Sequence, residues 1–267
     1  MAKPRDLAVP RQPARPAGQA VVFLEEHEQL RRHSGSSSNS AASQDSANDN
    51  EVDDWWELFG DLLGGKEEGI IRGGVQNFGG LASKSNQPED ESLRRWITEQ
   101  HFDIYGIPET DLYWPKIQQK LQLQERVREW WETDTTHTVR AYNQNQRCTS
   151  KTQWGGTAQI SRGQAAFRVM ASGQDPTRLG RWVWTQYRGK GNRRLRVITA
   201  YRPCQKTTSS PFATWTQQRT HFQSKKQDRE PRKAILDDLA GESHRWAADG
   251  EHVALMMDCK EEGRSNN

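Results

Sequence analysis

Hydrophobic residues are scarce in this sequence. They make up 33% of its 267 residues, and the mean hydropathy is −1.02. Much of the chain therefore cannot lie in a folded core. No apolar run approaches the roughly 18 residues that a membrane-spanning helix needs. The segment Val21–Leu24, which two glutamates follow, is too short for the core of a signal peptide. We expect a protein without a membrane partner.

Cysteine is also rare. The three cysteines, Cys148, Cys204 and Cys259, are far apart in the sequence and odd in number. Their spacing matches neither a disulfide framework nor a zinc site. This usage predicts a reducing, intracellular environment, and it leaves the compartment and the oligomeric state open.

Acidic residues are nearly absent from one long segment, residues 178–233. This segment holds fifteen Lys or Arg and two acids, a balance of +13, whereas the whole chain carries +3. Such a segment predicts a polyanion partner, most simply nucleic acid, with a solvated basic surface as the alternative. The arginines expected to contribute most to this contact are Arg193, Arg194 and Arg196.

The sequence divides into a tail and a folded domain. Residues 1–66 are rich in proline, serine and acids, and seven of the thirteen residues from Ser34 to Ser46 are serine. This composition predicts a disordered, low-complexity tail. Within it, Val21–Arg32 is interpreted as a short amphipathic helix and Asp53–Leu63 as a helix that docks on a partner or on the domain. Residues 67–267 form the predicted domain.

The domain alternates strand and helix patterns. Strands are predicted at 70–77, 102–107, 135–142 and 252–257, and a hairpin pairs 181–188 with 195–201. Helices are predicted to begin at four prolines, Pro88, Pro115, Pro211 and Pro231. This alternation indicates an α/β domain with a mixed sheet.

Four polar residues follow or end predicted strands: Asn77, Glu109, Tyr201 and Asp258. Ligands of α/β sheets usually bind at the carboxyl ends of strands. Carboxylate and amide oxygens suit a magnesium ion, and a second carboxylate can orient or deprotonate a water. Arg202, beside Tyr201, would contact a phosphate. The alternative is that each is a turn residue, a helix cap or a solvated side chain.

Five short motifs occur in the order found in the endonuclease/exonuclease/phosphatase superfamily, and the chain resembles that superfamily over about residues 70–262. They are Gln76-Asn77-Phe78-Gly79-Gly80-Leu81, Gly106-Ile107-Pro108-Glu109-Thr110, Gly155-Gly156-Thr157-Ala158, Thr199-Ala200-Tyr201-Arg202-Pro203 and Leu255-Met256-Met257-Asp258. The third and fourth motifs look most like those of the retroelement-type members, the endonuclease domains of non-LTR retrotransposons.

The resemblance implies a four-layer α/β sandwich and magnesium-dependent hydrolysis of phosphodiesters. Asn77 and Glu109 would hold the magnesium ion, with Glu109 as its direct ligand. Tyr201 would contact the phosphate, and Asp258 would orient and activate the attacking water.

Two departures from the family pattern bear on activity. Lys260 replaces an amide that would touch the phosphate, and the family's final Asp-His pair does not occur before the sequence stops at Asn267. We therefore expect a C-terminally incomplete sandwich and a weak or inactive hydrolase. The alternatives are a non-catalytic nucleic-acid-binding protein and a gene fragment derived from a mobile element.

Overall fold

The computed structural model describes residues 20–24, 66–84, 88–204 and 210–258. For residues 20–24, 88 and 89 it describes the backbone alone. The rest of the predicted tail, the segment Asp53–Leu63, and Lys260 lie outside the described residues. In the part of the chain that is described, no helix has the length and apolar content needed to cross a membrane.

The first sheet has five strands in the order β1-β2-β3-β5-β4. They are β1 (Ala20–Leu24), β2 (Ile71–Val75), β3 (Ile104–Pro108), β4 (Thr136–Ala141) and β5 (Thr157–Arg162). Strands β2 and β3 are parallel, and the other pairs are antiparallel. The sequence interpretation of a helix from Val21 was wrong for the first residues of that segment. Its run of β-branched and aromatic residues pairs with β2, which would otherwise be an open edge of the sheet.

The second sheet has four strands in the order β6-β7-β8-β9. They are β6 (Val169–Gln174), β7 (Trp182–Arg188), β8 (Arg194–Tyr201) and β9 (Glu251–Asp258). The hairpin of β7 and β8 was predicted and is confirmed. Strand β9 runs parallel to β8 and places Asp258 opposite Tyr201 in the ladder. Strand β6 was not predicted from the sequence, because its residues lack an alternating apolar pattern.

Five α-helices connect the strands in the described residues. They are α1 (Pro88–Glu99), α2 (Leu123–Trp130), α3 (Gly163–Phe167), α4 (Thr214–Ser224) and α5 (Pro231–Ala248). The helix predicted to begin at Pro115 starts later. Two short 3-10 turns, Trp114–Lys116 and Gln119–Leu121, come first, because proline favours the first turn of a helix without requiring that the helix continue.

Three buried clusters separate four layers. Helices α1 and α2 pack on the outer face of the first sheet, the two sheets pack on each other, and α5 packs on the outer face of the second sheet. Side chains alternate along β8 accordingly: Val197 faces the first sheet, while Ile198 and Ala200 face α5. The predicted α/β sandwich is confirmed, and its two parallel strand pairs, β2–β3 and β8–β9, contact each other where the sheets pack.

Candidate active site

The four residues singled out at strand ends come together in the structure. Asn77 lies two residues beyond β2 and Glu109 directly follows β3, while Tyr201 and Asp258 are the last residues of β8 and β9. Because each sheet contributes a parallel pair, four carboxyl ends meet where the two sheets pack. We call these four residues the strand-end cluster.

Short hydrogen bonds join the strand-end cluster. The Asn77 Nδ2 group donates to Glu109 Oε2 at 2.6 Å and to Asp258 Oδ2 at 2.6 Å. The Tyr201 hydroxyl donates to Glu109 Oε1 at 2.9 Å. The backbone N–H of Gly79 donates to Asn77 Oδ1 at 2.8 Å, which turns the amide nitrogen toward the two carboxylates. The Asn77 amide therefore bridges two carboxylates, Glu109 and Asp258, that come from different sheets.

The turn that carries Glu109 has an unusual backbone. Glu109 and Asp111 both have positive φ angles, 61° and 54°, a conformation that costs most residues energy. The turn is held by the Gly155–Gly156 pair, whose carbonyls accept hydrogen bonds from the backbone N–H groups of Asp111 and Thr110 at 2.8 and 3.1 Å. The geometry of Glu109 is thus fixed by a neighbouring loop, not by its strand alone.

Gly156 allows the Gly155–Gly156 loop to lie close to the turn that carries Glu109. Its φ is +82°, and a Cβ at this position would lie 2.7 Å from Thr110 Oγ1 and 2.9 Å from the carbonyl oxygen of Ala141. Glycine is therefore required both by conformation and by space. The glycine pair was recognised in the sequence as a motif, but its contact with the Glu109 turn was not predicted.

Asp111 also belongs to the turn that carries Glu109, and it was not predicted as a site residue. Its carboxylate accepts a hydrogen bond from the Gly155 N–H at 2.7 Å. Its negative charge also raises the pKa of the Tyr201 phenol. The signal in the sequence was an acid two residues beyond Glu109, in a turn that follows a buried strand.

Tyr201 is a protonated donor in this environment. Burial raises the pKa of its phenol, and the charge of Glu109 and the hydrogen bond to it raise that pKa further. The hydroxyl therefore keeps its proton throughout the neutral range and can donate to an anion.

The oxygen donors of the cluster fit a hard cation that keeps several waters. Glu109 and Asp258 offer two carboxylates around one point, and magnesium is commonly held by one or two carboxylates plus water. In the described residues no group of three or more His, Cys, Asp and Glu side chains has the arrangement of a metal site. Asn77 presents its nitrogen to this point, so it suits the role of orienting the carboxylates better than that of direct ligand.

Arg202 lies at the same end of β8. It is half-buried, and its backbone N–H donates to the Asp258 carbonyl oxygen at 3.4 Å. Its buried Nε atom has no hydrogen-bond partner among the described residues. The residue that follows Tyr201 thus carries a guanidinium N–H that is available to donate.

The three other candidate arginines lie elsewhere. Strand β8 begins at Arg194 and ends at Tyr201, so Arg193 and Arg194 are about 23 Å from the strand-end cluster at the usual rise per residue. Arg196 is only 6% exposed. It forms an ion pair with Glu251 at 2.8 Å, and its guanidinium packs over Trp184 and Trp246 at 4.0 and 4.4 Å. The expectation of an exposed Arg196 differs from the structure, because the outer face of β8 is covered by α5.

Solved structures that are similar to this chain include the following three. An AP endonuclease from Archaeoglobus fulgidus is 16% identical with a TM-score of 0.34, over 50% of this chain and 41% of that one. The 3′ phosphatase NExo from Neisseria, bound to a product DNA hairpin, is 18% identical with a TM-score of 0.36, over 63% and 51%. The human Nocturnin catalytic domain with bound sulfate is 12% identical with a TM-score of 0.39, over 69% and 62%.

This chain matches less than two thirds of the length of each of these structures. The sequence matches no protein-family model and no curated protein.

Proposed function

We propose that the strand-end cluster hydrolyses phosphodiester bonds of a nucleic acid with the help of a divalent cation. The observation that carries this proposal is the set of short hydrogen bonds linking Asn77, Glu109, Asp258 and Tyr201 across two sheets. Two carboxylates, one amide and one protonated phenol at a single point are groups that can hold a cation, activate a water and bind a phosphate oxygen. The resemblance in sequence motifs assigns the same four residues.

Each residue has a distinct proposed role. Glu109 would hold the cation, which when bound would neutralise charge on the phosphate. Asn77 would keep the two carboxylates in place, and Asp258 would orient the attacking water and accept its proton. Tyr201 would donate its hydroxyl proton to a phosphate oxygen, and Arg202 would add positive charge nearby.

The test is cleavage of supercoiled plasmid by the purified chain with magnesium. We expect slow nicking that needs the metal and is lost in Glu109→Ala. The matched control is Glu129→Ala, which removes an exposed carboxylate on α2. Nicking that is independent of magnesium, or equal in Glu109→Ala and Glu129→Ala, would overturn the proposal.

The rate itself is a further prediction. We propose that hydrolysis is weak, because Lys260 stands where the resembling family has an amide that touches the phosphate. A lysine supplies charge but cannot both accept and donate hydrogen bonds. An origin in a mobile element also stays a proposal, and it rests on the Gly155–Ala158 and Ala200–Pro203 motifs.

The second candidate function is nucleic-acid binding without catalysis. The observation that favours it is the basic balance of residues 178–233, most of which lies outside the strand-end cluster. Under this alternative, binding would fall steeply with added salt yet would not depend on magnesium. A gel-shift series with and without the metal, run beside the plasmid assay, separates the two functions.

A further inference from the structure

Two segments without a single acid meet beside the strand-end cluster. The first, residues 142–156, connects β4 to β5, and the second, residues 210–227, includes α4. The Asn143 Nδ2 group donates to Gln217 Oε1 at 2.9 Å, which joins the two segments. They also touch at Gly155, where a Cβ would lie only 2.8 Å from Thr214 Cγ2. We call the surface at this junction the acid-free rim.

The acid-free rim adjoins the turn that carries Glu109. Gly155 belongs to the rim and donates its N–H to Asp111, two residues from Glu109. Trp154 directly precedes Gly155, and its exposed fraction is 46%. Phe212 lies two residues before Thr214, and its exposed fraction is 64%. The Phe212 carbonyl accepts a hydrogen bond from Gln217 at 2.6 Å, so its backbone is tied to the same junction. Two exposed aromatic rings thus flank the contact between the segments.

The charges of the rim favour an anionic strand. Arg147 and Lys151 are exposed on the first segment, and Arg219 is exposed on the second. Neither segment contains Asp or Glu, and the carboxylates that contact them, Asp111 at Gly155 and Glu230 at Trp215, come from outside the segments. Exposed rings combined with an excess of positive charge are the features of surfaces that bind single-stranded nucleic acid, in which bases stack on aromatic side chains and cations follow the backbone.

We propose that the acid-free rim binds unpaired nucleotides next to the bond to be cleaved, with bases stacked on Trp154 and Phe212. This inference rests on the proposed function for the identity of the substrate as a nucleic acid. A continuous duplex keeps its bases stacked on one another, so it offers no free faces to these rings. The rim therefore selects single strands, loops or frayed ends, of DNA or of RNA.

The experiment measures binding without catalysis, on the full chain in the presence of EDTA. Fluorescence anisotropy compares a labelled thymidine dodecamer, a uridine dodecamer and a duplex of the same length. We expect the single strands to bind more tightly than the duplex, and the two single-stranded arms show whether DNA or RNA is preferred. Trp154→Ala and Phe212→Ala should each weaken single-strand binding about tenfold.

Two variants keep the test interpretable. Phe167→Ala removes a phenylalanine that is 77% exposed, at the end of α3 and at the opposite end of the first sheet from Glu109; it should leave binding unchanged. Trp154→Phe retains a ring and should retain most of the affinity, so a loss in Trp154→Ala alone reports stacking and not misfolding.

Equal affinity for duplex and single strand, or equal binding by Trp154→Ala, Phe212→Ala and Phe167→Ala, would overturn the inference. Since no metal is present, such a result leaves the plasmid-nicking test of the proposed function untouched. Conversely, absence of nicking would not alter the binding comparison.

Discussion

Replacing Gly156 by alanine tests whether the Gly155–Gly156 loop holds the Glu109 turn. The φ of +82° costs an alanine about 1–2 kcal/mol. The added Cβ would also sit 2.7 Å from Thr110 Oγ1 and 2.9 Å from a backbone carbonyl that cannot rotate away. Relief of such overpacking typically costs about 1–3 kcal/mol. We therefore expect Gly156→Ala to lower the free energy of unfolding by about 2–5 kcal/mol.

Gly191→Ala is the matched control. Gly191 also has a positive φ, +64°, but a Cβ there has nothing within 4 Å. It should therefore cost only the conformational part, about 1–2 kcal/mol. The difference between the two variants in urea unfolding isolates the contact with the Glu109 turn.

The same substitution should reach the strand-end cluster. Thr110 adjoins Glu109, so a shift that accommodates the new methyl group moves the carboxylate, and misplacement of about 1 Å can cost about 10²-fold in rate. Plasmid nicking by Gly156→Ala, compared with Gly191→Ala, measures this effect. If both variants lose the same stability and the same rate, the reasoning about the loop is refuted.

Three further predictions concern other parts of the molecule. Glu251→Ala should lower the free energy of unfolding by about 3–5 kcal/mol at pH 7, because it leaves Arg196 buried without its partner. Burial raises the pKa of Glu251, but Arg196, together with Gln186 and Arg194, outweighs burial and holds that pKa below its ordinary value. The stabilisation is therefore present above the unfolded carboxyl value of about 4.3 and lost as the pH falls through the folded value. The difference in urea midpoint between wild type and Glu251→Ala should therefore become smaller in acid. A difference that does not change with pH would contradict the lowered pKa of Glu251. Tyr201→Phe should slow nicking about 10²- to 10³-fold, with a far-ultraviolet circular dichroism spectrum like that of wild type; since the pKa of the phenol is raised, the wild-type rate should show no decline from its ionisation up to about pH 10. An unchanged rate in Tyr201→Phe would remove this residue from the site. Neutralising Arg147 and Lys151 together should reduce the slope of log affinity against log salt by about 1.4 for a single strand, at about 0.7 per lost phosphate contact; an unchanged slope would show that neither cation touches the strand.

The sequence carried enough information to predict which residues meet. Asn77, Glu109, Tyr201 and Asp258 each stood where an apolar, β-branched run stops, and the carboxyl ends of parallel strands lie at the same edge of a sheet. The motif order then predicted the two-sheet arrangement. The strand ends themselves were predicted from local signals, namely the period of two along a strand and the residues that end it, whereas the sandwich was implied by the resemblance to the superfamily.

Other features depend on partners that are distant in the sequence. The basic segment did not reveal that Arg196 is buried, because its burial results from α5 covering β8 and from Glu251 on a neighbouring strand. Strand β6 carries no pattern of its own and forms because β7 offers an edge. The role of Asp111 required knowledge of the loop that closes over it.

The hydrogen bonds of the strand-end cluster span very long stretches of chain. Asn77 and Asp258 are 181 residues apart, and Glu109 and Tyr201 are 92 apart. Closing such loops costs entropy that only a nearly complete native structure repays, so contacts of this kind form late and slowly. During synthesis the first sheet can assemble before the strand that carries Asp258 has been made. The cluster therefore depends on the whole fold. In a refolding experiment, the cation binding proposed for Glu109 should return with the last and slowest phase, after most secondary structure has recovered.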